Sequence, residues 1–568
     1  VAVSFGFGWA LWALLRSLLV QGWAHSFDAA IYVRSLWGVA AGDLWNPVVE
    51  LHVVSIHFNL VLWLLAPWTR WAHPLEVLIA AQSLALAVTL AAAGIAALRC
   101  AGRGAAMGVP LVLGLSPLVV NPFLFDVRPD LLGVPIVAVC LLRARELGRW
   151  TPATVWGMLP ALLVREELMM AIVGALVLSP FGPFRRADAA LRAGGAGAAV
   201  AVWATYWFGV RRWLADGSYG KAQEVAADFF DAGGASLMQL MGYRVELVLL
   251  AALAGGGLAL VGWRWLGAAL PGLAFLLVAS RMQELTAQLH YVLFLVPGLV
   301  VATVEGAHRL SRRAWSPRQR VALWALPALV TFGAFATSAA WPLGGRYRAE
   351  NFLWEPLLDA EHQATRHGVR QLHKLAGRVG PDAAFAVPWG VAAPVASRSQ
   401  IYTVERFDAE GAWSSVTCDT LDAVLLPARS WGHVGRRLVE QEGFRLAGFV
   451  DRAAALLVCS DADALLPWRH LEGAEKRPRC EAPAVRWPDA NLEACDLHLL
   501  ADGRVAMRLQ AIEPGPARVA RPMVVAGDTA SGRGPALRFL RGLVDGAELA
   551  GGHTAASFVV VTSDPAPP

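Results

Sequence analysis

The chain has 568 residues, 56% of them hydrophobic and 16% charged, with a mean hydropathy of +0.47. That balance excludes an ordinary soluble enzyme and points to repeated membrane spans. The charge excludes a nucleic-acid partner. Before residue 343 there are 24 Lys+Arg against 17 Asp+Glu, and from there on 25 against 27, so the basic excess belongs to the apolar part and reads as a positive-inside signal.

The spacing of apolar runs predicts spans at 3–21, 75–98, 105–120, 131–147, 153–164, 168–182, 189–210, 243–263, 265–280, 289–306 and 319–341. The first lacks the layout of a cleavable signal peptide and is expected to be retained. The halves 153–164 and 168–182 are each too short to cross a hydrocarbon core of about 30 Å at about 1.5 Å per residue. They are therefore read as a hairpin with Arg165-Glu166-Glu167 at its tip. Ionisable residues at membrane depth are costly, and they face protein or water.

Arginine clusters at 99–103, 143–149, 185–192 and 309–320 are expected on the cytoplasmic side. With the amino terminus inside and the hairpin counted as two crossings, every one of these clusters falls inside. The carboxy-terminal part then falls outside. Arg211 and Arg212 run against this placement. The long loop at 22–74 carries two apolar, aromatic segments, 27–39 and 53–68, expected to lie as interfacial helices on the outer leaflet. The run Gly255-Gly256-Gly257 lies inside a predicted span and reads as close helix packing.

The expected fold is an α-helical polytopic membrane domain of about 10–11 segments (residues 1–342) followed by a soluble region. The soluble region is read as an α/β domain at 343–465, then a linker and a mainly β region at 466–568. Strands are predicted at 383–387, 400–404, 421–427, 444–450, 453–459, 495–500, 504–512, 521–526 and 556–562. A helical stretch at 357–379 and a helix near 431–442 accompany them. Cys418, Cys459, Cys480 and Cys495 allow two disulfides, in any of three connectivities, if the region is extracytoplasmic.

Acidic residues from three segments share the predicted outer side: Asp28, the pair Asp126 and Asp130, and Glu166 with Glu167. A partly desolvated carboxylate there can act as a general base. Asp28 also fits a helix N-cap, and Asp126 and Asp130 fit a proline turn. Arg128, Arg165 and Arg281 are the cations at hand, and guanidinium forks suit phosphate. His57 and Tyr291 complete the candidate substrate-binding set. Cysteine spacing gives no metal pattern. The sequence indicates no cofactor and leaves a divalent metal open.

Several of these residues also carry a resemblance. Ser26-Phe27-Asp28-Ala29-Ala30-Ile31-Tyr32, Ile56-His57-Phe58, Ala66-Pro67, Asn121 to Asp130, Val164-Arg165-Glu166-Glu167, and His290-Tyr291 with Pro297 follow in that order. They resemble the bacterial multi-pass family called domain of unknown function 2079, over roughly residues 20–460. That family reads F-D in the first outer loop, H-F before a span, F-D-x-H-P-E after the third span and K-E-D in the hairpin. Arg128 stands where the family commonly has histidine.

The resemblance implies a GT-C-like integral-membrane glycosyltransferase in the bacterial inner membrane. It implies a polyprenyl-phosphate-linked sugar as donor and an envelope acceptor served by Asp28. Asp126, Glu166 and Glu167 would shape the cavity, and Arg128 or Arg165 would face the lipid phosphate. A transporter or channel is the alternative, though no internal repeat of the kind alternating access uses is present. A non-catalytic envelope assembly protein is a third reading.

Overall fold

The computed structural model describes residues 1–16, 27–178, 180–181, 186–214, 237–279, 290–313, 317–338 and most of 374–459. It also describes the strands 485–487, 492–499 and 505–511. The chain divides into two compact units, Val1–Leu358 and Asp359–Pro568.

The first unit is helical and is organised around Pro74–Ala101. Pro74 supplies the preset φ of a first helical position, and the His73 side chain accepts from the Leu75 amide. Gly102, at φ 87°, ends the helix. Its 28 residues give about 42 Å of length, enough to cross a core of about 30 Å. Ala2–Leu15, Arg103–Gly114, Gly133–Leu147 and Val296–Ser311 pack against it. Close crossings need small residues here. A Cβ at Gly306 would lie 1.9 Å from the Leu258 carbonyl oxygen, and one at Gly262 would lie 2.0 Å from that of Ala302.

Several of the apolar segments are broken among the described residues. By length and apolar composition, three described helices can cross a membrane: Pro74–Ala101, Leu240–Val261 and Tyr291–Ser311. A fourth arises if the pair Arg103–Gly114 and Pro117–Leu124, bent by 55°, counts as one. Proline and glycine account for much of the fragmentation. Pro117 restarts a helix after the bend, and Pro271 opens Leu270–Val278 after a 3₁₀ stretch. Gly255, Gly256 and Gly257 hold φ of 58°, 67° and 84°, so the triplet is a left-handed break inside a span as well as a packing contact. Between Pro152–Trp156 and Met169–Val177 the chain is not one helix, in line with the two short halves expected there, because Arg165 is extended at φ −152° and ψ 113°.

The expectation for 27–39 is also corrected. Phe27–Ala41 does not lie on a surface: Ala29, Ala30, Val33 and Leu36 are fully buried, as is Arg34. Arg34 pairs with Asp43 and stacks over Trp37. An apolar stretch with an inward arginine is enclosed by protein. The segment 53–68 differs. After Val61–Leu65 and the 3₁₀ turn Ala66–Arg70, the side chains of Leu64, Trp68 and Trp71 are exposed, as suits a headgroup belt.

The second unit contains one mixed sheet. Its strands are β3 (Phe385–Val387), β4 (Ile401–Thr403), β5 (Ala423–Pro427), β6 (Phe444–Val450), β7 (Ala454–Cys459), β8 (Val485–Trp487), β9 (Leu492–Leu499) and β10 (Val505–Ala511). β1 (Trp45–Asn46) and β2 (Leu51–His52) form a small hairpin in the first unit. The main order is β10-β9-β6-β7-β5-β3-β4, with β8 on β9. β3 runs parallel to β4 and β5, and the other pairs are antiparallel. Strands from both sides of 466–483 thus share a sheet. The predicted strands at 521–526 and 556–562, most of the helical stretch at 357–379 and most of the helix near 431–442 lie outside the described residues.

The apolar face of the sheet buries Ala386, Val424, Leu426, Phe444 and Leu457. A disulfide joins Cys418 to Cys459.

Candidate functional site

The acids from three segments meet in the first unit. Asp28 lies in the first turn of Phe27–Ala41. It is not the N-cap, and its Oδ2 accepts from Arg128 Nη1 at 2.7 Å. Tyr32, one turn on, points the same way: its hydroxyl accepts from Arg128 Nη2 at 2.9 Å and lies 3.3 Å from Asp130 Oδ2. Arg128 Nε also donates to Asp130 Oδ2, at 3.1 Å. That oxygen accepts from Arg165 Nη1 at 2.7 Å, and Arg165 in turn holds Glu167 through Nη2 at 3.0 Å and Nε at 2.5 Å. The result is a ladder of alternating charge: Asp28, Arg128, Asp130, Arg165, Glu167.

A second arm joins at Glu166, which is fully buried. Its Oε1 lies 3.0 Å from His57 Nδ1, and its Oε2 accepts from the Phe58 amide at 3.1 Å. The Leu60 amide donates to the Leu163 carbonyl at 2.8 Å, so the 57–60 stretch is laid along the break in the 152–177 region. Phe58 stacks on Tyr206 at 5.0 Å between centroids. Tyr206 belongs to a π-helical turn, Thr205–Val210, and donates to the Val54 carbonyl at 3.0 Å. Such turns occur often at functional sites.

The local backbone explains the placement. Pro129 opens the 3₁₀ turn Pro129–Leu132, and Asp126 and Arg128 before it are extended. Gln82, buried in the long helix, holds this corner. Its Nε2 donates to the Phe123 and Asp126 carbonyls, and its Oε1 accepts from the Arg128 amide, all at 2.7 Å.

Exposure sorts the members. The Asp28 side chain is 28% exposed, and His57 and Glu167 are 19% exposed each. Asp130 and Glu166 are closed off. Asp126 is buried with Oδ2 on the Ala29 amide and Oδ1 on the Val127 amide. It is a cap supplied to Phe27–Ala41 from another segment. Arg128 and Arg165 are buried with their forks on carboxylates. Tyr291 is half-buried in the 3₁₀ turn His290–Leu295, which packs against Pro117–Phe125. Arg281 lies outside the described residues.

Sequence reasoning missed Tyr32 and Gln82. Tyr32 carried a signal, because it stands four residues from Asp28 on one helix face. Gln82 did too, as an amide inside an apolar run of membrane length. A grouping of His57, Glu166 and Glu167 escaped as well: their ligand-type atoms all lie within 4.8 Å of one another. Their spacing in sequence carries no metal pattern, since 109 residues separate His57 from Glu166.

The family described as "Predicted membrane protein (DUF2079)" matches residues 23–438. The chain belongs to this family. The matched stretch of this DUF2079 protein takes in every member of the ladder. The search of curated proteins returned no match. Among solved structures, the crystal structure of ArnT from Cupriavidus metallidurans bound to undecaprenyl phosphate is similar at 14% identity and a TM-score of 0.48. It covers 82% of this chain and 99% of that one. The same protein in the apo state gives 13% identity, a TM-score of 0.43, and 80% and 97% coverage.

Proposed function

We propose that this membrane protein is a glycosyltransferase that moves a sugar from a polyprenyl-phosphate donor to a cell-envelope acceptor. The observation that carries the reading is the Asp28–Arg128–Asp130–Arg165–Glu167 ladder, which gathers three distant segments and leaves Asp28 as its most accessible carboxylate. In the proposed step an acceptor hydroxyl oxygen attacks the anomeric carbon. Its proton passes to Asp28, the carbon–oxygen bond to the phosphate breaks, and polyprenyl phosphate leaves. Arg128 and Arg165 enter as positioning residues and not as phosphate ligands, because carboxylates already fill their forks. Arg128 holds the Asp28 carboxylate, and Asp126 holds the helix that carries it.

We place the site on the outer side of the bacterial inner membrane and the second unit outside the cytoplasm. Two observations support this. Gln82 at the site and Arg99 stand on one helix 17 residues apart (82 to 99), about 26 Å along its axis, and Arg99 belongs to the basic end, where it pairs with Glu146. The Cys418–Cys459 disulfide suits an oxidising compartment.

The test is Asp28→Asn in the full chain, in vesicles supplied with a panel of radiolabelled polyprenyl-phosphate sugars. Asparagine keeps the size and a hydrogen bond but removes the basicity. Transfer is expected to fall on the order of 10²–10⁴-fold, with an unchanged elution profile in detergent. Full transfer by a well-folded variant rejects Asp28 as the base. No transfer from any donor by the unaltered chain rejects the activity.

A further inference from the structure

The cluster is rich in carboxylates. Among the described residues, Asp28, Asp130 and Glu167 meet the guanidiniums of Arg128 and Arg165, and Asp126 and Glu166 lie beside them on backbone amides and His57. With His57 neutral, that is a formal excess of three negative charges in a largely buried region. The excess sits unevenly. Asp28, Asp130 and Glu167 divide Arg128 and Arg165 between them, whereas Glu166, next to Glu167, has only the His57 imidazole as its ion-pair partner among the described residues.

We propose that His57, Glu166 and Glu167 bind one divalent transition-metal ion. The ligand atoms come from two segments folded against each other and lie within 4.8 Å of one another. Bonds to imidazole nitrogen and carboxylate oxygen are about 2.0–2.2 Å, so two ligands of one ion stand at most about 4.2 Å apart. The 3.0 Å between His57 Nδ1 and Glu166 Oε1 already matches a pair at about 90° on one ion. Glu167 needs an inward shift of at least about 0.6 Å, the value for a position trans to another ligand, and about 1.4 Å for a tetrahedral one, and its partial exposure allows that.

The donor set selects the ion. One imidazole with two carboxylates suits zinc or manganese better than calcium, which takes a shell of oxygens. Groups behind the ligands are already arranged. The Phe58 amide fixes Glu166 through Oε2 and leaves Oε1 toward His57, and Arg165 orients Glu167 through contacts to both its oxygens, each of which keeps a further lone pair. Support of this kind tunes protein metal sites. Three protein ligands leave coordination positions open. His57 and Glu167 form the exposed rim while Glu166 is closed off, so the open positions face the accessible side, where an anionic oxygen such as that of a phosphate can complete the shell.

The experiment reads the ion, not turnover, so its outcome is independent of the transferase reading. Purified full chain in detergent is stripped with EDTA and exchanged. It is then titrated with Mn²⁺, followed by the electron paramagnetic resonance of the free ion. Retained Zn²⁺ is measured by mass spectrometry after desalting. The expected result is one ion per chain, competed between the two metals, and lost in His57→Ala and Glu166→Gln. Glu167→Gln keeps the volume and a hydrogen-bond acceptor for Arg165 at a partly exposed position. It serves where the buried changes impair folding, judged by elution profile, and it too loses the stoichiometric ion. The proposal is overturned if the stripped chain takes up neither metal in excess, or takes up less than one ion per chain. It is also overturned if a well-folded Glu167→Gln or His57→Ala binds as the unaltered chain does, which leaves His57 and Glu166 a plain ion pair.

Discussion

Buried arginine is handled in two ways in this molecule. In the first unit, Arg128 and Arg165 are surrounded by carboxylates brought from far along the chain: Asp28 is 100 residues from Arg128, and Asp130 is 35 from Arg165. In the second unit, Arg398 is equally buried, but it donates to the carbonyls of Val395, Gly380 and Val379 and stacks over Phe385. Burial pushes its pKa down to about 10. The first arrangement spends charge on charge and ties separate segments into a site. The second closes nearby loops with neutral acceptors. Only the first arrangement joins ionised groups that are distant in the sequence, which makes it the candidate for a functional role.

The contrast predicts different costs. Asp130→Ala removes the carboxylate shared by two arginines and leaves them facing each other without water. Breaking a buried pair in this way costs about 3–5 kcal/mol, so the unfolding temperature in detergent should fall steeply. A small effect of Asp130→Ala would show that the ladder is hydrated and that the contrast with Arg398 fails. Arg398→Met retains the apolar stem and loses the charged hydrogen bonds. A hydrogen bond to a charged group is worth about 1.5–3 kcal/mol. The loss should appear as increased protease sensitivity within 374–459, with the proposed sugar transfer unchanged.

What the sequence made legible follows from the same distinction. The strands at 383–387, 400–404, 421–427, 444–450 and 453–459 stood out as short apolar runs between turn residues, and the structure places β3 to β7 on them. Membrane composition stood out from hydropathy alone. The acids Asp28, Asp130, Glu166 and Glu167 stood out because charge is costly among apolar runs. Continuity of the spans did not. Hydropathy reports the medium and not the backbone, so the break at Gly255–Gly257 leaves the apolar count unaltered, whereas the break at Arg165 was legible because a charged triplet interrupts the run. Nor can apolarity say whether a segment faces lipid or protein, which is why Phe27–Ala41 read as interfacial. The partners of Arg128 were invisible for a further reason: Gln82 acts through backbone carbonyls and an amide that only the fold brings near.

The smallest expected effect concerns groups whose neutral form is required, the converse of both arginine arrangements. His73 caps the long helix by accepting from the Leu75 amide through Nδ1, at 3.2 Å. A protonated Nδ1 cannot accept. Burial lowers its pKa, partly offset by Glu76. The sign follows from linkage. The unfolded chain titrates near about 6.5 and the folded one below it, so the unfolded state holds more protons in between. The contribution of the cap is therefore present above about 6.5 and is lost as pH falls through the lowered folded value. Stability should drop on acidification by about 1 kcal/mol, the worth of a helix cap. His73→Asn keeps an acceptor at the cap and does not titrate. It should match the unaltered chain at about pH 8 and surpass it at about pH 5, where the histidine is protonated in the unfolded state. Thermal unfolding in detergent at the two pH values measures the difference. An identical pH response in His73→Asn would assign the acid sensitivity to the carboxylate ladder instead, whose paired acids are also protonated on the way down.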